Sequence, residues 1–179
     1  MRYTEKDREF FSQDAAELAP KLLGKFLCTK KQDGTILKLT IMETEAYPAK
    51  DTTCYGYGYD GNFGNKKITP AIQPLFKRGG ACCVYGGMLL IVCGPVQKPE
   101  NILVRKAGNK NVLCEGPYLL GKLLNLNKQQ HGMDLLSEKS TIWIETSSAE
   151  REIFKTTRVR LKANAKPCDI KNKLRFILI

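Results

Sequence analysis

The Asp33-Gly34 pair, set between two apolar stretches, constrains the fold of this chain more than any other feature. Asp-Gly favours the two-residue turn that joins adjacent antiparallel strands. Residues 25–30 and 35–47 flank the pair and are rich in the apolar and β-branched side chains that strands prefer. The sequence therefore predicts a β-hairpin here, and with it an antiparallel sheet.

The remaining elements are predicted from turn residues and from the spacing of apolar positions. Further short strands are expected at residues 81–85, 88–93, 101–106, 141–145, 157–161 and 174–178. Helices are expected over 14–23, before Gly24, and over 118–126, after Gly116-Pro117. Strands in hairpin order with few helices indicate the α+β class. We expect residues 1–179 to form a single domain, with a curved antiparallel sheet and a few flanking helices.

The composition favours a polyanionic partner. Lysine and arginine number 29 against 18 acidic residues, which gives a net charge of +11 and a pI near 9.4. Such an excess suits nucleic acid or an anionic membrane surface. No apolar run approaches the ~18 residues of a membrane span, and no leader opens the chain. We therefore expect no membrane partner and an intracellular location, in the cytoplasm and nucleoid or in the nucleus.

The cysteines and the single histidine, His131, do not form a metal-binding pattern. No two of the seven cysteines are spaced as Cys-x-x-Cys, and one histidine cannot complete a zinc-ligand set. We therefore expect no metal centre. The cysteines are interpreted as small buried hydrophobic residues in a reducing compartment.

The strand predicted within residues 35–47 carries two acidic residues near its end. Regular alternation puts one set of side chains on a common face: Leu37, Leu39, Ile41, Glu43, Glu45 and Tyr47. A carboxylate on the core side of a strand is costly unless it is paired or opens into a cleft. Either the strand end emerges into water, with its acids solvated or bridged to lysines, or one carboxylate lies in a partly dry pocket. In such a pocket it can take a proton from water.

Tyrosines cluster around this strand, at Tyr47, Tyr55, Tyr57, Tyr59 and Tyr85. Beside a basic surface, such rings can stack on an unpaired nucleic-acid base. Ordinary packing is the alternative. The glycines among them match G-x-G-x-x-G, but no helical periodicity follows, so we interpret this stretch as a loop and not as a nucleotide-binding turn.

A basic stretch lies near the C-terminus, from Arg158 to Lys162. In a regular strand, Arg158, Arg160 and Lys162 would point outward while the two apolar residues between them cover the core. One interpretation is a row of contacts to nucleic-acid phosphates. The other is a solvated strand face whose charges discourage edge pairing.

Blocks along most of the chain resemble the alkyladenine (3-methyladenine) DNA glycosylase family. The run METEAY at residues 42–47, followed by Pro-x-x-Asp, is similar to the active-site strand of that family. Other blocks resemble, in the same order, its opening helix and first strand, its arginine-bearing strand, its Gly-Pro helix and its closing strand. These blocks are EFFSQDAAELAPKLLGKFL, NILVRKAG, LCEGPYLLGKLLNLN with GMDL, and KLRFILI. The similarity runs from about Glu9 to Phe176.

The resemblance implies a monofunctional base-excision-repair glycosylase that acts as a monomer on double-stranded DNA carrying damaged purines. Such an enzyme flips an alkylated or deaminated purine out of the duplex and hydrolyses its N-glycosidic bond. The resemblance implies that Glu45 is the general base for the attacking water and that Arg105 helps to hold that water. The implied base pocket and DNA-contacting hairpin are formed by Tyr47, Tyr55 and Tyr85 and by Gly86, Gly87 and Met88. The family uses no metal and no cofactor.

The chain departs from the family pattern at several points. Tyr55 and its neighbours stand where the family has a pocket histidine, so Tyr55 is a candidate to replace it. The hairpin between Tyr85 and Met88 is shorter than usual, which leaves either residue as the wedge that enters the duplex. Leu90 stands where an asparagine screens purines. The short hairpin and Leu90 leave open a family member that binds damaged DNA without excision. The net positive charge alone leaves open a basic RNA-binding protein.

Overall fold

The computed structural model describes residues 1–147 and 152–179. In these residues, nine strands form one curled sheet in which all paired strands are antiparallel. They are β1 Phe26–Lys30, β2 Ile36–Tyr47, β3 Cys82–Tyr85, β4 Met88–Val92, β5 Asn101–Gly108, β6 Leu113–Glu115, β7 Ile142–Glu145, β8 Ile153–Thr156 and β9 Arg175–Leu178. The order is β3-β4-β5-β2-β1-β7, with β6 on β5 and β9 between β2 and β8. The α-helices described are α1 Arg8–Phe11, α2 Ala15–Lys21, α3 Pro117–Leu123 and α4 Pro167–Lys171. The predicted α+β class and curved antiparallel sheet are confirmed.

The predicted Asp33-Gly34 hairpin is present as the β1–β2 pair, in which Lys30 lies opposite Ile36. Helix α2 packs its apolar face, including Leu18 and Ala19, onto the sheet. The Thr44 hydroxyl of β2 donates a hydrogen bond of 2.9 Å to the Ala19 carbonyl, which fixes the helix against this strand. The main core therefore lies between α2 and one face of the sheet.

Strand β2 does not alternate regularly, so the predicted common face is wrong. Ile41 lies opposite Ala107 of β5, but Glu43 lies opposite Lys106, which leaves one extra residue, Met42, in β2. A second register shift follows immediately, and there the extra residue belongs to β5. Each inserted residue in a β-bulge reverses the side-chain alternation beyond it. The apolar side chains at the beginning of β2 therefore point toward α2, whereas the acidic side chains near its end point to the opposite face of the sheet.

The burial pattern on either side of the shift agrees with this reversal. Leu39 and Ile41 belong to the core cluster beneath α2, and beyond the shift Ala46 belongs to it as well. Tyr47 instead joins a second cluster on the opposite face of the sheet. Glu45 shares that second face, because it alternates with Ala46 and bonds to Tyr47.

The strand predicted at residues 157–161 is also wrong. Strand β8 ends at Thr156, and residues 157–165 form an irregular segment. Arg160 has a φ of 54°, in the left-handed region, which interrupts an extended conformation. Arg158 is only 4% exposed and forms an ion pair with buried Asp51. The predicted row of three outward cations therefore does not exist, since an inward partner is available for Arg158.

Six of the seven cysteines are buried and only Cys168 is exposed, and none is in a disulfide. Burial raises the pKa of the Cys54 and Cys83 thiols to about 12, so they stay protonated and unreactive at neutral pH. The interpretation of the cysteines as buried small residues holds for all but Cys168. Within the two described segments, no helix has both the length and the apolar character to cross a membrane.

Candidate active site

Glu45 is fully buried on β2, and three donors converge on its carboxylate. Oε1 accepts a hydrogen bond of 2.9 Å from the backbone N–H of Val159. Oε2 accepts from the Tyr47 hydroxyl at 2.8 Å and from Nη1 of Arg105 at 3.2 Å. A buried carboxylate is tolerated only when it is paired and hydrogen-bonded in this way. Of the two possibilities left open for the acids of β2, the structure shows the buried pocket for Glu45.

The second acid of β2, Glu43, is held by arginines on both sides. Its Oε1 accepts hydrogen bonds from Nε of Arg105 at 2.9 Å and from Nε of Arg175 at 2.7 Å. Arg105 is the extra residue of β5 at the second register shift, which lets one guanidinium reach both acids. Glu43 therefore positions Arg105, and Arg105 in turn contacts Glu45.

Arg158 ties the irregular segment to the end of β2. Its Nη1 donates to the Ala46 carbonyl at 2.9 Å, and its Nη2 donates to Asp51 at 2.6 Å and to the Asp169 carbonyl at 2.8 Å. The guanidinium also lies 4.9 Å from the centre of the Tyr47 ring, within cation–π range. Arg158 therefore fixes the neighbouring Val159 amide and Tyr47, and it is not a surface contact for DNA.

A cavity of about 520 Å³ opens in front of Glu45. The three residues that bond the carboxylate, Tyr47, Arg105 and Val159, all line it. This volume falls within the range of roughly 300–1,000 Å³ that is usual for small-ligand sites. The carboxylate thus lies directly behind the cavity wall.

The walls of this cavity are rich in tyrosine: Tyr47, Tyr55, Tyr57, Tyr59, Tyr85 and Tyr118. The Tyr55 ring packs edge-on against Tyr47 at 5.3 Å and against Tyr85 at 5.1 Å, centre to centre. Burial raises the pKa of Tyr55 to about 12 and moves that of Tyr47 further above its ordinary value. Both phenols therefore keep their protons at neutral pH. The three tyrosines predicted for a base pocket, Tyr47, Tyr55 and Tyr85, are brought together here.

The β3–β4 hairpin turns through Gly86 and Gly87, both with positive φ, and so presents no long side chain at its tip. Met88 is only 8% exposed, and Tyr85 is half-buried against Tyr55. Neither of the two wedge candidates projects from the surface. Met88 lines the cavity instead of lying on an outer DNA-contacting surface, which corrects the expectation for it.

Several cavity residues were not predicted from the sequence. Tyr118 is 54% exposed in the first turn of α3 and lies beside the glycine turn, with its ring 4.0 Å from where a Cβ on Gly87 would be. The sequence marks Tyr118 only as an aromatic residue that follows the first proline of a helix, which does not indicate a cavity residue. The Val159 amide has no side-chain signal in the sequence, and Lys66, a second-choice candidate for DNA contact from its charge, also lines the cavity.

The remaining predicted DNA contacts, Arg160 and Lys162, are exposed and line the cavity. Arg160 also borders a neighbouring groove that contains Lys106 and Arg175. Nζ of Lys162 donates a hydrogen bond of 3.0 Å to the Cys54 carbonyl. Both side chains therefore line the cavity, but Arg160 extends to the neighbouring groove whereas Lys162 is bonded to the loop at Cys54.

Comparisons of the sequence with known proteins identify its family. Residues 9–179 match the sequence model of the methylpurine-DNA glycosylase family. A DNA-3-methyladenine glycosylase of Arabidopsis thaliana is 34% identical over 142 residues, which span 68% of this chain but only 51%, about half, of the plant protein. A Clostridium botulinum protein, provisionally named a 3-methyladenine DNA glycosylase, is 32% identical over 86% of both chains. A Borreliella burgdorferi protein with the same provisional name is 29% identical over 96% of this chain and 95% of its own. The chain belongs to the methylpurine-DNA glycosylase family of DNA repair enzymes, which hydrolyse N-glycosyl bonds.

Proposed function

We propose that the protein is a monofunctional glycosylase that flips an alkylated or deaminated purine into the tyrosine-lined cavity and hydrolyses its N-glycosidic bond. The observation that carries this proposal is the buried Glu45 carboxylate directly behind that cavity, bonded to Arg105. The cavity has room for a purine, and rings on its walls offer faces and edges for stacking. A damaged base is cheaper to extrude than a normal one, which contributes to selectivity.

In the proposed reaction, Glu45 accepts a proton from a water molecule as the water oxygen attacks C1′ of the deoxyribose. The N-glycosidic bond breaks, and its electron pair leaves with the base. The sugar becomes oxocarbenium-like during departure, and the negative carboxylate stabilises that charge, as in glycoside hydrolysis. The Arg105–Glu45 contact, at 3.2 Å, is the longest of the three, so we place the water at this contact.

We propose that DNA approaches the face that carries the Gly86-Gly87 turn, with Arg160 next to a phosphate. The turn is exposed and its short residues permit close approach of a strand backbone. Arg160 lies between the cavity and the neighbouring groove, whose other cations are ion-paired with Glu43 and Glu115, so Arg160 is the free cation of that groove in the part of the chain that the structure describes. We further propose one glycosylase domain over residues 1–179, acting as a monomer at the chromosomal DNA.

A salt titration tests the role of Arg160. If it neutralises one phosphate, Arg160→Ala should flatten the slope of log affinity against log salt by about 0.9 on duplex DNA. Damaged and undamaged duplexes should respond alike, because phosphates carry no information about the lesion. Lys31→Ala is the control, since Lys31 lies at the far end of the β1–β2 hairpin from Glu45. An unchanged slope in the Arg160 variant would place the DNA on another surface.

Tyr118 is our candidate to fill the gap that an extruded base leaves in the duplex. Tyr118→Ala should weaken binding to a lesion-bearing duplex by about 1–3 kcal/mol, the usual effect of losing one stacking ring. Tyr118→Phe should bind normally. Leu119→Ala is the matched control, because Leu119 is equally exposed one residue further along α3 and does not line the cavity. Fluorescence anisotropy measures all three, and wild-type affinity in Tyr118→Ala would rule out this role.

The function itself is tested with duplexes that each contain one hypoxanthine, ethenoadenine or 7-methylguanine. The protein is expected to leave abasic sites in at least one of them, detected as strand breaks after alkali. One observation favours the alternative of a protein that binds damage without excision, namely the hairpin tip without a long side chain. Tight binding to all three duplexes with no abasic sites would support that alternative.

A further inference from the structure

Four charged side chains form one row of alternating sign across three neighbouring strands. Arg175 of β9 donates from Nε to Oε1 of Glu43 at 2.7 Å, and Arg105 of β5 donates from Nε to the same oxygen at 2.9 Å. Nη1 of Arg105 then reaches Oε2 of Glu45 at 3.2 Å. Strand β2, which carries both acids, pairs with β5 and with β9. Two cations and two anions therefore balance each other along this row.

Arg175 is the cation of this row that lies outside the cavity. Arg105 lines the cavity, whereas Arg175 borders the neighbouring groove and not the cavity. The Arg175 side chain is 23% exposed, against 11% for Glu43, so it covers the groove side of a largely buried carboxylate. Arg175 does not face a base in the cavity, and any effect that it has on the reaction passes through Glu43.

Glu43 is divided between its two arginines. Both Nε groups donate to one carboxylate oxygen, and the shorter contact belongs to Arg175. A guanidinium can instead bind a carboxylate at two points, through Nε and a terminal nitrogen. Without Arg175, Glu43 would keep Arg105 as its single ion-pair partner among the described residues. Two-point pairing would then draw the Arg105 guanidinium toward Glu43.

A movement of Arg105 toward Glu43 has its largest effect at Glu45. The contact from Nη1 of Arg105 is the longest of the three to the Glu45 carboxylate, and it is where we place the attacking water. The bonds from Tyr47 and from the Val159 amide do not involve Arg105, so they would still hold the carboxylate. The general base would stay in place while the water lost its arginine.

We propose that Arg175 is a positioning residue for base excision: its bond to Glu43 limits the hold of Glu43 on Arg105 and keeps Nη1 of Arg105 beside Glu45. The inference rests on the proposed function, because it concerns the water that attacks in that reaction. It adds to the reaction a residue of the closing strand that lies outside the cavity.

The test is single-turnover excision from the lesion duplex on which wild type acts fastest. Arg175→Met should slow excision by about tenfold or more, because a misplacement of about 1 Å can cost up to about 10²-fold. Arg175→Lys keeps a cation beside Glu43 and should retain most of the rate. Lys155→Met is the matched control, since Lys155 is a cation of the neighbouring strand β8 and lines neither the cavity nor the groove. Its rate should equal that of wild type.

The double variant Glu43→Gln with Arg175→Met shows whether Arg175 acts through Glu43. A neutral amide does not compete for Arg105, so removing Arg175 from Glu43→Gln should add no further loss. Two independent effects would instead multiply. Multiplied losses would overturn the inference and leave the proposed function intact, and so would wild-type rates in Arg175→Met.

Duplex binding distinguishes positioning from a direct contact with DNA. The affinity of Arg175→Met and its dependence on salt should match those of wild type, whereas loss of a phosphate contact would flatten the slope by about 0.9 and overturn the inference. Thermal unfolding identifies variants that have lost the fold, and Arg175→Gln replaces Arg175→Met in each comparison if the methionine variant does not fold. If wild type excises none of the three lesions, the proposed function is wrong and the inference fails with it.

Discussion

Replacing Glu45 with glutamine is expected to slow single-turnover excision by about 10²–10⁴-fold, the usual contribution of a general base. Glutamine keeps the size of the side chain and an oxygen for the Val159 amide, but it cannot take a proton from water. Affinity for a lesion-bearing duplex should change little, because Glu45 is fully buried behind the cavity wall. Rates are measured with enzyme in excess over a hypoxanthine or ethenoadenine duplex, so that chemistry and not product release is observed.

Glu43→Gln is the matched control for this experiment. Glu43 is two residues away on the same strand and contacts the same Arg105, but it holds that arginine together with Arg175 and does not adjoin the cavity. We expect a smaller loss of rate, arising from a less well positioned Arg105. Wild-type rates in Glu45→Gln, or a larger loss in Glu43→Gln, would assign the general base to another residue.

Replacing Arg158 with methionine is expected to reduce the free energy of unfolding by about 3–5 kcal/mol, the usual result of removing one partner of a buried ion pair. Asp51 would stay buried without its guanidinium, and the carbonyls of Ala46 and Asp169 would each lose a donor. Denaturant unfolding measures the change. Excision should fall as well, since the Val159 amide and the Tyr47 ring would lose their support.

The double variant Asp51→Asn with Arg158→Met separates the two contributions. Without the buried charge of Asp51, part of the lost stability should return, while excision should stay low because Tyr47 and Val159 are still unsupported. Arg158→Met with wild-type stability would show that water compensates Asp51. A stable double variant with wild-type excision would show that Arg158 has no part in positioning the site.

Much of the fold could be predicted from local signals. The Asp33-Gly34 hairpin and the Gly116-Pro117 helix start depend on residues whose backbone preferences act over a few positions. The run around Glu45, taken with the family resemblance, marked the carboxylate that the structure buries behind the cavity. The tyrosines were recognised as a cluster, and the structure brings them to one cavity.

The failures have tertiary causes. Residues 157–161 have an alternating pattern typical of a strand, but the pattern does not reveal that Asp51 draws Arg158 inward or that Arg160 adopts a positive φ. The Val159 contribution to the site is a backbone N–H, which every residue other than proline carries. Tyr118 reaches the cavity only because α3 packs beside the glycine turn, a proximity that no local pattern encodes.

The face of the sheet to which the Glu45 carboxylate points depends on the number of residues in β2 between the core and the site. From Ile41, which packs under α2, to Thr44, which bonds to α2, there are three steps, although an uninterrupted strand returns to the same side only after an even number. Met42 supplies the odd residue. If β2 kept the same sequence but paired without this bulge, so that Met42 took an ordinary place in the alternation, Glu45 and Tyr47 would point toward the helix and Ala46 toward the cavity. The parity of a single strand is therefore as much a requirement of this site as the acid it carries.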